Sequence, residues 1–128
     1  MNIIYIDDDA TNRAVLRDML KLKGIAMVEA PDARSGLKLI SEGSFDLIFM
    51  DLRMPDMNGL TAIRQIRAAG NQGNQGHRIP IVAVTAELSE GIKELGRTAG
   101  ADAFLEKPIM LESLFDTIAS LRKKPARP

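Results

Sequence analysis

Four short stretches hold the residues of this chain whose types and spacing could do chemistry. Asp7, Asp8 and Asp9 stand in a row after the apolar run Asn2-Ile3-Ile4-Tyr5-Ile6. Asp51 ends a second apolar run, Leu47 to Met50, and Met54-Pro55-Asp56-Met57-Asn58-Gly59 follows it with turn chemistry. Thr85 closes the run Ile79-Pro80-Ile81-Val82-Ala83-Val84, and Lys107 follows the run Ala101 to Glu106. Carboxylates gathered in one place repel, and each is driven toward its protonated form unless a cation neutralises it. With no Cys and one His in the chain, a metal site must rest mainly on oxygen ligands, which favours Mg²⁺. A carboxylate, Mg²⁺, an ammonium and a hydroxyl together suit phosphoryl transfer, where catalysis is mostly positioning and charge neutralisation. Asp51 is the candidate nucleophile of such a site, forming an acyl phosphate.

These groups converge only if the right elements position them. The pattern predicts strands over Asn2–Ile6, Ile25–Ala30, Asp46–Asp51, Ile79–Thr85 and Ala101–Glu106. Helices are expected between and after them. The first runs from Ala10 to Lys23, with Gly24 as its C′ residue. The second opens at Pro31-Asp32, places Ala33, Leu37 and Ile40 on one face, and ends at Gly43-Ser44. The third is capped by Asn58 and faces inward through Leu60, Ile63 and Ile66. The fourth, Glu87–Ala99, carries a stripe of Leu88, Ile92, Leu95 and Ala99. The fifth shows the spacing Leu111, Leu114, Phe115, Ile118, Leu121. Strand–helix alternation repeated five times implies a parallel sheet with helices on both faces. The continuous apolar character of the strands agrees with burial on both sides. All strand C-terminal ends then share one edge, where open α/β sheets bind ligands. If the first, third, fourth and fifth strands are neighbours, the candidate residues meet in one crevice.

The chain has 128 residues, enough for one domain with a core that needs no staples. Its 17 basic and 17 acidic residues give no net field that would point to nucleic acid or an anionic membrane. The absence of Cys excludes disulfides, thiol catalysis and Cys-based zinc sites. No apolar stretch approaches a membrane span and the N-terminus does not read as a signal peptide, so a cytoplasmic location is expected. Two segments fall outside the strand–helix pattern. Gly70 to Gly76 lacks the Lys-Ser/Thr of a phosphate loop and reads as a surface loop, and His77 beside it reads as solvated. Residues 122–128, basic and rich in Pro, read as a tail or the stump of a linker after a domain of residues 1–121.

Ile6-Asp7-Asp8-Asp9, Phe49-Met50-Asp51-Leu52-Arg53-Met54-Pro55-Asp56-Met57-Asn58-Gly59, Val84-Thr85-Ala86 and Glu106-Lys107-Pro108 together resemble the receiver domains of bacterial two-component response regulators. The start of the first helix and the Leu52–Gly59 stretch are similar to receivers attached to hybrid histidine kinases. The resemblance spans about residues 2–121 and implies a flavodoxin-like (βα)5 fold, strand order 2-1-3-4-5. It implies that Asp51 accepts a phosphoryl group from a phosphohistidine on a histidine kinase or a histidine phosphotransfer protein. Asp8 and Asp51 would hold Mg²⁺ directly, with the backbone carbonyl of Arg53 as a third ligand and Asp7 acting largely through water. Thr85 and Lys107 would bind the phosphoryl oxygens. Thr85 and Phe104 would then switch the face of the fourth helix, fifth strand and fifth helix toward a downstream protein, or the phosphoryl group would be passed on. Arg53 and Glu87 fall where the family tunes the phosphoryl lifetime, and their opposite charges suggest a pair across the mouth of the site. Such a protein acts on itself rather than as a turnover enzyme.

Two other readings use the same residues. Asp7-Asp8-Asp9-Ala10-Thr11 fits the Asp-x-Asp-x-Thr motif of haloacid-dehalogenase-type phosphatases, with Asp7 as nucleophile and Asp9 as acid/base. The chain shows no cap insertion for it and no acidic pair after the fourth strand. A receiver-fold adaptor that is never phosphorylated is the second. Asp9 reads better as a cap of the first helix than as a metal ligand, and Phe104 could be ordinary core. Nothing in the chain after residue 121 is long enough to form a DNA-binding effector.

Overall fold

A computed structural model describes residues 1–70 and 78–123. The expectations placed on residues 71–77, His77 among them, and on residues 124–128 lie outside the described residues. Five strands and five helices alternate: β1 (Ile3–Ile6), α1 (Ala10–Lys21), β2 (Met27–Ala30), α2 (Ala33–Glu42), β3 (Leu47–Asp51), α3 (Gly59–Ala68), β4 (Ile81–Thr85), α4 (Glu90–Ala99), β5 (Ala103–Glu106) and α5 (Leu111–Lys123). The strands form one parallel sheet in the order β2-β1-β3-β4-β5.

Side chains alternate across each strand, so the apolar runs divide between two cores. Ile4, Ile6, Ile48, Met50, Ile81 and Ala83 pack with residues of α2, α3 and α4, Ile40, Ile63, Ile66 and Ala99 among them. Ile3, Tyr5, Leu47, Phe49, Val82 and Val84 pack on the other face with Leu16 and Leu20 of α1 and Leu114 and Ile118 of α5. Fully burying an aliphatic side chain of this kind stabilises the fold by about 1.5–3 kcal/mol. The sheet is thereby buried on both faces, and its carboxyl edge is held by strands packed from both sides.

The boundaries depart from expectation where local hydrogen bonding decides them. α1 tightens after Lys21: Gly24 N–H donates to Lys21 O and Ile25 N–H reaches back to Leu20 O. Gly24, at φ +68°, is the C′ residue of that motif. β4 begins at Ile81 rather than Ile79, after Pro80, which has no N–H for the ladder. α4 begins at Glu90, capped by Ser89 Oγ on Ile92 N–H, which leaves Glu87 in the loop. Its buried residues are Gly96 and Ala99, while Leu95 is 49% exposed. Ile92 and Ala99 of the expected stripe pack on the core but Leu95 does not, and the Phe104 ring lies against Gly96, where a Cβ would collide with it. Leu111, 42% exposed, likewise lies off the buried face of α5. α5 reaches Lys123, past the expected start of the tail.

Between β3 and α3 the chain doubles back under its own acidic residue. Leu52 N–H donates to Val84 O and Gly59 N–H to Leu52 O, while Asn58 caps α3 through Leu60 N–H at 2.7 Å. A Cβ on Gly59 would overlap the Asp51 carbonyl oxygen and Leu52 Cα, backbone atoms that cannot rotate away. Gly59→Ala is therefore expected to lower stability by about 1–3 kcal/mol, read from the urea midpoint; an unchanged midpoint would show that the loop gives way easily.

Candidate functional site

The sheet order brings the expected residues together. β3 lies between β1 and β4, so Asp51 ends the strand beside Asp7 on one side and Thr85 on the other. Lys107 follows β5, and its N–H donates to Thr85 O at 2.8 Å, which ties the start of its loop to the end of β4. The Lys107–Pro108 peptide bond is cis. Asp7 is 0% exposed and Asp51 2%; Thr85 is buried as well, and Asp8 is exposed. A carboxylate oxygen from each of Asp7, Asp8 and Asp51 lies within 4.8 Å of the others.

Each oxygen has a definite environment. Asp51 Oδ1 accepts the Arg53 N–H at 3.2 Å and meets Lys107 Nζ at 3.2 Å. Asp51 Oδ2 takes no donor from the described residues. Asp7 Oδ1 accepts the Asp9 N–H at 2.8 Å. Asp7 Oδ2 accepts the Tyr5 hydroxyl at 2.5 Å and meets Lys107 Nζ at 3.3 Å and Asn12 Nδ2 at 3.4 Å. Arg13 donates to the Asp7 carbonyl and pairs with Glu29 of β2 at 3.2 Å, which anchors the β1–α1 turn. Thr85 Oγ1 accepts the Glu87 N–H at 3.3 Å.

Burial pushes the Asp51 carboxyl up to about 6, and the Asp7 charge adds to that rise, against the Arg53 N–H and Lys107. Burial disfavours the Lys107 charge, yet Asp51 and Asp7 together outweigh it and raise the ammonium above its ordinary value. Burial raises the Tyr5 phenol, and its bond to Asp7 raises it further, so the hydroxyl stays protonated and donates.

The remaining expected residues take varied positions. Asp9 caps α1 with one oxygen, Oδ1, which accepts the N–H groups of Thr11 at 2.8 Å and Asn12 at 3.4 Å. Arg53 and Glu87 do pair, at 3.7 Å, with side chains 77% and 78% exposed. Phe104 sits away from the acids, against Gly96 and beneath the Arg97 guanidinium, 5.9 Å from the ring centroid. Sequence reasoning missed Tyr5, Asn12 and Arg13. Tyr5 carried a readable signal: residues two apart in a strand share a face, so its side chain and that of Asp7 had to point the same way.

Three carboxylates gathered together, two of them sharing one ammonium, suit a hard divalent cation, since oxygen is the only donor type they present and the acids repel when bare. A doubly wound α/β domain with an acidic pocket at the carboxyl edge of its sheet is the class that fold and site define. The response regulator receiver domain profile matches residues 3–119, and the chain belongs to that family. It is a receiver domain of two-component signalling. It is 34% identical to the response regulator MprA of Mycolicibacterium vanbaalenii over 124 residues, covering 97% of this chain and 51% of that protein. The chain thus spans about half the length of that relative. Two of the similar solved structures are receivers bearing on the site. One is the receiver domain of the sensor histidine kinase PA1611 from Pseudomonas aeruginosa, with a magnesium ion coordinated in its active site cleft; the TM-score is 0.80, at 29% identity over 93% of this chain and 94% of that one. The other is the co-crystal structure of the Saccharomyces cerevisiae histidine phosphotransfer signalling protein Ypd1 with the receiver domain of its downstream response regulator Ssk1. It gives a TM-score of 0.84, at 29% identity over 93% of this chain and 86% of that one. No helix among the described residues is long and apolar enough to cross a membrane.

The raised Asp51 carboxyl has a stability consequence. Its unfolded value is 3.8 and its native value about 6, so between these the native state holds a proton that the unfolded state has released. Stability from this group is therefore lost as pH rises from about 4 to about 6. In metal-free buffer, Asp51→Asn is expected to remove that decline and to be more stable than wild type at pH 7 by about 1–3 kcal/mol. Urea unfolding at a series of pH values measures it; a variant no more stable than wild type at pH 7 would contradict this account of the pocket.

Proposed function

We propose that Asp51 is the phosphoryl acceptor of this chain, taking the group from a phosphohistidine on a kinase or a histidine phosphotransfer protein. The observation that carries the reading is the asymmetry of Asp51. One oxygen is held by Lys107 and the Arg53 N–H, and the other takes no donor from the described residues. That second oxygen attacks phosphorus, the P–N bond breaks, and its electron pair returns to the imidazole nitrogen, which takes up a proton. Asp8, Asp51 and the Arg53 carbonyl are the ligands we assign to Mg²⁺, with Asp7 beside them. When bound, Mg²⁺ neutralises charge on the phosphoryl oxygens. Lys107 already stands 3.2 Å from Asp51, and turning from the carboxylate to the new phosphoryl group requires only a rotation of its flexible stem. The Thr85 hydroxyl provides the second donor. The acceptor is consumed in each event and restored by slow hydrolysis, so the chain is a switch rather than a turnover catalyst.

Output follows from the same geometry. Movement of Thr85 toward the phosphoryl group would open space beside β4, and Phe104, next to Leu105 on β5, is the aromatic that could fill it. Both belong to strands bordering α4 and α5, so this face is the one we assign to the downstream protein. The Arg53–Glu87 pair screens the mouth of the site. A receiver-fold adaptor that is never phosphorylated is the remaining alternative.

Intact-mass spectrometry after treatment with acetyl phosphate and Mg²⁺ tests the acceptor. Wild type is expected to gain about 80 Da, the mass of one phosphoryl group, and Asp51→Asn to gain nothing. A gain that survives in Asp51→Asn but disappears in Asp7→Asn would replace Asp51 by Asp7 as nucleophile. Arg53→Ala and Glu87→Ala are each expected to shorten the half-life of the acyl phosphate, because water reaches it more easily; unchanged half-lives in both would remove the pair from the mechanism.

A further inference from the structure

The phosphoryl chemistry proposed above makes no use of Tyr5, the one tyrosine of the chain. The residue is 1% exposed and its ring packs edge-on against Phe49, with centroids 6.2 Å apart. Its hydroxyl is aimed at Asp7 Oδ2, 2.5 Å away, the same oxygen that Lys107 Nζ approaches to 3.3 Å and Asn12 to 3.4 Å. Asp7 is fully buried, so its charge is compensated only by the groups that touch it. The shortest contact to Oδ2 thus comes from a neutral donor, not from the ammonium. This matters because Lys107 is shared with Asp51 at 3.2 Å. Without the hydroxyl, Lys107 would be the strongest partner left for Asp7 and would be drawn onto it. A buried carboxylate that loses one partner leans on the next. An ammonium settled on Asp7 opposes an incoming cation by direct repulsion and is withdrawn from Asp51.

We propose that Tyr5 is a positioning residue of the cation site: its hydroxyl shares Asp7 Oδ2 with Lys107, which keeps the ammonium divided between Asp7 and Asp51 instead of settled on Asp7. The inference rests on the phosphoacceptor reading and adds to it a strand residue that touches neither the phosphoryl group nor the cation.

The test is a Mg²⁺ titration followed by the backbone amide resonances of Asp8, Asp9 and Arg53, in wild type, Tyr5→Phe, Lys107→Met and the double variant. Tyr5→Phe keeps the ring against Phe49 and removes only the hydroxyl. Its Kd for Mg²⁺ is expected to rise about tenfold, the lower end of what losing an outer-shell partner costs a metal site. In the Lys107→Met background the same substitution is expected to leave Kd nearly unchanged, because the competing ammonium is gone. A Kd unchanged or tightened by Tyr5→Phe overturns the proposal, and so does an equal loss in both backgrounds, which would make Tyr5 a packing residue only. A second measurement needs no variant. The chain has no Trp, so its near-ultraviolet tyrosine absorption comes from Tyr5 alone, and it is expected to shift along the same Mg²⁺ binding curve. Amide shifts that report binding while the Tyr5 absorption stays fixed would also overturn the proposal. Failure of wild type to bind Mg²⁺ sinks the metal-assisted phosphoacceptor reading together with this inference. Normal wild-type binding with an unaffected Tyr5→Phe sinks this inference alone.

Discussion

Two buried carboxylates held around one ammonium set the terms for the rest of this molecule. Asp7 and Asp51 belong to a cluster whose oxygens lie within 4.8 Å, and Lys107 Nζ stands 3.3 Å from one and 3.2 Å from the other. At an effective dielectric of about 20, charges about 5 Å apart repel by roughly 3 kcal/mol, and an ammonium about 3 Å from a carboxylate attracts it by roughly 5 kcal/mol. Lys107 therefore offsets the repulsion without abolishing the cost of burial, and the Asp51 carboxyl remains raised to about 6. The pocket is stable enough to fold and still poorly compensated. That balance suits a divalent cation, which relieves the repulsion between carboxylates that the fold itself imposes.

Such a cluster survives only on a frame that cannot relax away from it. Asp51 is the last residue of a strand paired on both sides, and the residues before it are wholly buried. Around this edge the loops are tied rather than loose. Arg13 holds the β1–α1 turn by the Asp7 carbonyl, the Lys107 N–H is bound to Thr85 O, and Gly59 lets the β3–α3 loop fold under Asp51. The outer ends of the site, Asp8, Arg53 and Glu87, are exposed, which leaves the pocket open to solvent on that side. β4 and β5 border the site on its other side. There Thr85 borders the pocket, and Phe104 lies against α4 in the gap that Gly96 leaves.

Much of this was legible in the amino-acid order. Aliphatic runs of strand length, separated by periodic helical segments and punctuated by Gly, Pro and Asn, pointed to a doubly wound parallel sheet, and the four motifs at the strand ends pointed to a receiver. The caps by Asp9 and Asn58 and the Gly24 turn were readable because they depend on neighbours in sequence. Leu95 shows where local reading stops. Its spacing fits the inner face of a helix as well as Gly96 does, yet the Phe104 ring from another element packs on Gly96 and Leu95 faces solvent.

By itself, then, the sequence determined which residues could do chemistry and which elements would carry them, because period, turn residues and residue type act over a few positions. Tertiary structure alone decided how the charges are shared. Lys107 divides between Asp7 and Asp51, and the Tyr5 hydroxyl shares with it the same Asp7 oxygen. Residues separated by dozens of positions meet at 3 Å only when the strand order is closed. Their energies depend on burial and on which lone pair each donor reaches, neither of which is written in the spacing along the chain.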